Sequence, residues 1–122
     1  MLENITDITS AQLWRETQKM RNDGYRFVTA TCINLPDGSF DVLYHFDRDI
    51  GLKQYRLHVT AGEEIPSISH IFFCALLVEN EIKELFGVNI TDIVIDYGGH
   101  LLLSDGAPST PMAGGQITIE RR

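Results

Sequence analysis

Phe40-Asp41-Val42-Leu43-Tyr44-His45-Phe46-Asp47 alternates without interruption, with Phe40, Val42, Tyr44 and Phe46 on one side of an extended chain and Asp41, Leu43, His45 and Asp47 on the other. Successive side chains of a strand point to opposite faces, so this stretch reads as a strand in a sheet with one buried side. The pattern returns after the turn Asp47-Arg48-Asp49-Ile50-Gly51, where Tyr55, Leu57 and Val59 alternate with Gln54, Arg56 and His58. Upstream, Tyr25 to Leu35 is rich in aromatic and β-branched residues and runs into Pro36-Asp37-Gly38-Ser39, a turn with glycine where a positive φ is needed. Three consecutive segments of this kind predict an antiparallel meander.

Two helices are expected against it. Leu13, Thr17 and Met20 recur at helical spacing behind Ser10, and Gly24 supplies a stop, which predicts a helix over 11–23. Pro66 and Ser67 introduce a second, over 68–86, with an apolar stripe of Ile71, Ala75, Val78, Ile82 and Leu85 widened by Phe72, Leu76 and Phe86. Its solvent side is expected to show Glu79, Lys83 and Glu84, Glu79 and Lys83 standing at the favourable i,i+4 spacing, and Gly87 stands where a left-handed cap usually sits.

Beyond the helix, Ile90 to Tyr97 is β-branched enough for another strand, broken by Gly98-Gly99 before His100-Leu101-Leu102-Leu103. From Ser104 turn formers dominate and apolar anchors are scarce, so the end reads as an extended tail. The expected architecture is α+β in two layers, an antiparallel β-meander covered by helices, with one domain over 1–103 and an extended C-terminal tail over 104–122. No internal repeat is visible.

Composition narrows the function. Hydrophobic residues are 43% of the chain and charged residues 22%, the balance of a folded domain. Seventeen Asp and Glu against ten Lys and Arg give a formal charge of -7, which repels phosphate backbones and anionic lipid and argues against nucleic acid as a partner. The longest apolar run, Ile71 to Val78, falls far short of the ~20 residues a membrane helix needs. The acidic start Met1-Leu2-Glu3-Asn4-Ile5-Thr6-Asp7 lacks the basic flank and apolar run of a secretory signal, so a cytoplasmic location is expected. Cys32 and Cys74 lie far apart in apolar contexts and are expected to act as small buried hydrophobes. Without a CxxC pair or a glycine-rich nucleotide loop, no metal, iron-sulfur or cofactor site is expected on this chain.

The residues able to carry chemistry have plainer readings beside the sharper ones. Glu79, Glu81 and Glu84 form a carboxylate cluster of the kind that can split pKa values and relay protons, yet charges on a helix surface more often serve solvation or pairing. His45, His58, His70 and His100 match no local metal-ligand spacing, and Gly98-Gly99 lacks the lysine of a phosphate loop. His100 is the histidine of interest, because the preceding glycines permit close approach by another chain.

From Ile65-Pro66-Ser67-Ile68-Ser69-His70 through Glu79-Asn80-Glu81-Ile82-Lys83-Glu84-Leu85-Phe86-Gly87-Val88, the chain resembles the 30 kDa subunit family of respiratory NADH dehydrogenase. Glu79, Glu81, Phe86 and Gly87 match that family's helix-end signature, while Asn80 replaces its arginine and Glu84 its aspartate. Downstream, Ile95-Asp96-Tyr97-Gly98-Gly99-His100 and the closing Pro111-Met112 depart from the family's usual pattern and look like the small homologues of energy-converting [NiFe] hydrogenases, such as the small D-type component of Ech-type enzymes.

The resemblance implies a structural subunit with no catalytic residues of its own, on the cytoplasmic face of a membrane complex. It would pack beside the large subunit that holds the [NiFe] centre, or beside its quinone-reducing homologue, and near the small iron-sulfur subunit; those cofactors would sit on the partners. It also implies partner-interface roles for Glu79, Glu81, Glu84, Phe86, Gly87, Gly98, Gly99, His100, Pro111 and Met112. A stand-alone enzyme and a free adaptor domain are the competing classes. The first requires a convergent nucleophile, base and oxyanion set that these residues do not supply.

Overall fold

The computed structural model describes residues 5–49 and 51–96. In chain order these form strand β1 (Ile5–Ile8), helix α1 (Ser10–Asn22), β2 (Arg26–Asn34), β3 (Phe40–Arg48), β4 (Gly51–Val59), β5 (Glu64–Pro66), α2 (Ala75–Phe86) and β6 (Asn89–Thr91). The main sheet has the order β1-β4-β3-β2. Strands β2, β3 and β4 make the expected antiparallel meander, with Tyr44 opposite Ala30 on one side and Tyr55 on the other. The short β1 has no counterpart in the periodicity; it adds in parallel to the outer edge of β4, Ile5 opposite Gln54.

Turn chemistry accounts for the connections. Gly38 takes φ 88° and donates its N–H to the Leu35 carbonyl, while Asp37 Oδ1 accepts the Ser39 N–H at 3.0 Å. Helix α1 starts at the Thr9 cap, whose N–H donates to Gln12 Oε1 at 2.9 Å, and stops where Gly24 turns left-handed at φ 85°. Both turns fall at the glycines that predict them, since a positive φ strains any residue with a Cβ.

One sheet face builds the core. Phe40, Val42, Tyr44 and Phe46 of β3 are buried together with Phe27, Ala30, Tyr55, Leu57 and Val59, under Leu13 and Met20 of α1 and Leu76 of α2. The Phe46 ring meets Phe27 edge-on at 5.7 Å, Tyr55 at 6.1 Å and Phe72 at 5.6 Å, and Phe40 meets Phe86 edge-on at 6.3 Å. The other face carries polar cross-strand pairs: Thr31 with His45, Asp41 with His58, Arg26 with Asp47 and Arg56 with Asp7.

Two expectations need correction. The helix predicted over 68–86 begins only at Ala75, and residues 68–74 form a chain of turns in which Ile68, Ile71 and Phe72 are buried. The apolar periodicity is real, but Ile68 and Phe72 reach the core from separate turns, the Ile71 and Phe72 N–H groups on the Ile68 carbonyl and then the Ala75 N–H on the Phe72 carbonyl, in place of a continuous helical ladder. The strand predicted over 90–97 shortens to Asn89–Thr91, pairing in parallel with β5. It ends at Asp92, whose φ of 65° turns the chain out of extended geometry.

Candidate functional site

The signature helix α2 turns a carboxylate inward. Glu79 is 1% exposed, and its Oε1 accepts the Ser67 hydroxyl at 2.5 Å while its Oε2 accepts the Ile68 N–H at 2.8 Å. The same Ser67 Oγ accepts the Ser69 N–H at 2.9 Å and lies 2.6 Å from Ser69 Oγ, which in turn accepts the Val94 N–H at 2.9 Å. One buried acid therefore ties the turns before α2 to the segment after β6. A buried carboxylate needs such donors, since desolvation without them strongly disfavours its charge.

Burial pushes the Glu79 carboxyl up to about 7, although the Ser67 hydroxyl and the Ile68 N–H oppose the shift. The buried Tyr44 hydroxyl has no hydrogen-bond partner among the described residues, and its own ionisation is pushed upward by burial first and by Glu79 second. The neighbouring helix position is also turned in. Asn80 Nδ2 donates to the Leu76 carbonyl at 2.8 Å and to the Ile95 carbonyl at 2.7 Å, a second strap across the same gap. On the rim, Lys83 pairs with Asp96 at 2.6 Å.

The placement of Glu79 and Glu84 on the solvent side is thus overturned: both are buried, and Glu79 serves the preceding turns. Lys83 takes Asp96 in place of the expected Glu79, which points the other way. Glu81 is exposed. Phe86 packs on Phe40, and Gly87 is the left-handed cap expected of it, with φ 78° and its N–H on the Lys83 carbonyl. Gly98, Gly99, His100, Pro111 and Met112 lie outside the described residues.

The serines are site residues that the sequence reading missed. Their signal is Pro66-Ser67-Ile68-Ser69, small hydroxyls two apart ahead of an inward-facing glutamate.

The cysteines also differ from expectation. Cys32 is partly buried, with its thiol pushed up to about 12 by burial and Asp41, whereas Cys74 is exposed. Cys74 lines an apolar groove of about 300 Å³ with Phe73, Leu76, Leu77 and Ile95. Of the histidines, His45 and His58 sit on the polar sheet face and His70 Nε2 lies 2.9 Å from the Asp92 carbonyl oxygen. Among the described residues no three His, Cys, Asp or Glu side chains converge as a metal site, and no helix is long and apolar enough to cross a membrane.

A meander covered by two helices, with a buried acid hydrogen-bonded to a serine and a backbone N–H, defines an α+β domain. The chain belongs to the respiratory-chain NADH dehydrogenase 30 kDa subunit family, whose profile matches residues 6–113. It is 33% identical over 93 residues to the C-subunit of NADH-quinone oxidoreductase from Chelativorans sp. (strain BNC1), a match covering 66% of this chain and 46% of that protein. The chain thus spans about half the length of this curated relative. Among solved structures, a chain of the membrane-bound sulfane sulfur reductase, an archaeal respiratory membrane complex, shares the fold with a TM-score of 0.70 and 14% identity over 84% of this chain and 64% of its own.

Proposed function

We propose that this chain is a non-catalytic structural and assembly subunit of a membrane-bound energy-converting [NiFe] hydrogenase, packing against the large catalytic subunit in the peripheral arm. The observation that carries the architectural part is Glu79: the buried carboxylate at the head of the family signature is occupied by Ser67 and Ile68. The hydrogenase assignment draws on Asn80 in place of the family arginine and on the Gly98-Gly99-His100 and Pro111-Met112 segments. In this reading the [NiFe] centre and iron-sulfur clusters belong to the partners, and membrane contact is made through the complex. The docking surface comprises the tail from Ser104 to Arg122 and the α2 end at Glu81, Phe86 and Gly87. A Pro- and Gly-rich tail gains order only from contacts made elsewhere.

A second reading, the equivalent subunit of a complex I-like NAD(P)H- or ferredoxin:quinone oxidoreductase, is favoured by the curated relative. Affinity isolation from the native host with mass spectrometry separates the two. A co-purifying [NiFe] hydrogenase large subunit is expected, and a quinone-reducing homologue in its place selects the second reading. A chain lacking residues 105–122 should stay folded and capture less of the large subunit. Unchanged capture would remove the tail from the docking surface.

A further inference from the structure

The hydrogens of the Glu79 cluster can be counted one by one. Ser67 Oγ meets Glu79 Oε1 at 2.5 Å, the Ser69 hydroxyl at 2.6 Å and the Ser69 N–H at 2.9 Å. A hydroxyl has one hydrogen and two lone pairs. The Ser69 N–H takes one lone pair, so Ser67 gives its hydrogen to one of the remaining partners and accepts from the other. With Glu79 ionised the order runs outward from the carboxylate: Ser67 donates to Oε1, Ser69 donates to Ser67, and Ser69 Oγ accepts the Val94 N–H at 2.9 Å. Every hydrogen of the chain then has an acceptor.

A proton added to the acid breaks that balance. Placed on Oε1 and donated to Ser67, it reverses the chain: Ser67 donates to Ser69, and the Ser69 hydrogen has no further acceptor among the described residues. Placed on Oε2, which already accepts the Ile68 N–H, it stays in the core, where the buried Tyr44 hydroxyl makes no bond to it. The first arrangement carries the unpaired hydrogen to the outer end of the chain. Val94 and His70 are exposed there, so water can accept that hydrogen once Ser69 gives up the Val94 N–H.

We infer that the Ser67–Ser69 hydroxyl pair is a proton-sensitive latch: with Glu79 ionised it holds the Val94 N–H, and protonation of Glu79 reverses the hydroxyls and releases the segment after β6. Burial brings the titration of Glu79 to about 7, so the segment is held above that pH and released below it. The sense is opposite to that of global unfolding, because opening the latch leaves the acid in the core whereas unfolding returns it to water. The titratable groups that act on Glu79 from the packed elements are the buried Tyr44 hydroxyl of β3 and His70 of the turns. Histidines change charge near neutral pH, and His70 Nε2 lies 2.9 Å from the Asp92 carbonyl oxygen, so His70 is the rival trigger.

Hydrogen exchange at the Val94 amide of the full chain, corrected for the intrinsic rate at each pH, reads the latch. Its protection should rise about tenfold from about pH 6 to about pH 8, with the midpoint at which the Glu79 carboxyl carbon resonance titrates. Glu79→Gln should make protection independent of pH, Ser69→Ala should hold it at the low-pH level throughout, and His70→Gln should leave the rise in place. Protection that stays flat or falls as Glu79 ionises would overturn the latch. So would a rise that survives Glu79→Gln or Ser69→Ala, or one that disappears with His70→Gln. Should the Glu79 and Ser69 variants fail to fold, the parent and His70→Gln decide, since a Val94 midpoint displaced from that of Glu79 also overturns the inference.

Discussion

The Glu79 carboxylate accepts the Ile68 N–H at 2.8 Å across eleven residues, with both side chains buried. This bond fastens the chain ahead of α2 to the helix itself. An acid facing the core needs donors, and the chain entering the turns over 68–74 supplies them as the Ser67 hydroxyl and the Ile68 N–H.

Stability should depend on pH through this group. An ordinary glutamate titrates near 4.5, and Glu79 in the folded chain at about 7. The folded state therefore holds this proton more tightly than the unfolded chain. The resulting stabilisation is complete below 4.5, declines as pH rises and is lost above about 7. Its size is on the order of 3 kcal/mol. Urea denaturation at about pH 5 and about pH 8 should show a steeper loss in the parent than in Glu79→Gln, which has no proton to release. Parallel pH profiles would contradict the assignment.

Glu79→Ala leaves the Ile68 N–H and the Ser67 hydroxyl without their acceptor and opens a cavity. A loss of roughly 2–4 kcal/mol is expected from chemical denaturation, clearly more than for Glu79→Gln, which retains an acceptor oxygen.

Asn80→Leu removes the donor shared by the Leu76 and Ile95 carbonyls. The expected loss is about 1–3 kcal/mol. Its signature is local: hydrogen exchange at the Val94 amide, which Ser69 holds in the same network, should speed up before exchange in β3 does. Uniform acceleration across the sheet would mean that the strap serves global stability alone.

Gly87 stands at φ 78°. Valine there should lower stability by about 1–2 kcal/mol, and asparagine, which tolerates left-handed backbone, by less. Thermal melts of the two variants give the ranking, and equal melting temperatures would refute the cap argument.

Phe46 is fully buried between Phe27, Tyr55 and Phe72. Phe46→Ala should destabilise by about 3–5 kcal/mol and Phe46→Leu by much less, as read from denaturation midpoints.

Features with a local cause are legible in the residues alone. Alternation from Phe40 to Asp47 and from Gln54 to Val59 specifies two strands and their buried face, because a one-residue slip would turn every apolar side chain to the solvent. Gly24, Gly38 and Gly87 mark their turns because positive φ is a property of the single residue. The family resemblance is carried by the spacing from Pro66 to Val88.

Features that depend on a distant partner emerge only in the folded chain. Ile5–Ile8 becomes a strand because β4 offers an edge, and Pro66 pairs because Thr91 returns beside it. Helical periodicity in α2 could not say that Glu79 faces inward, since a glutamate reads as solvent-facing until Ser67 and Ile68 are brought against it. A local pattern records the preferred environment of each side chain; the hydrogen-bond partner that reverses that preference is supplied by the fold.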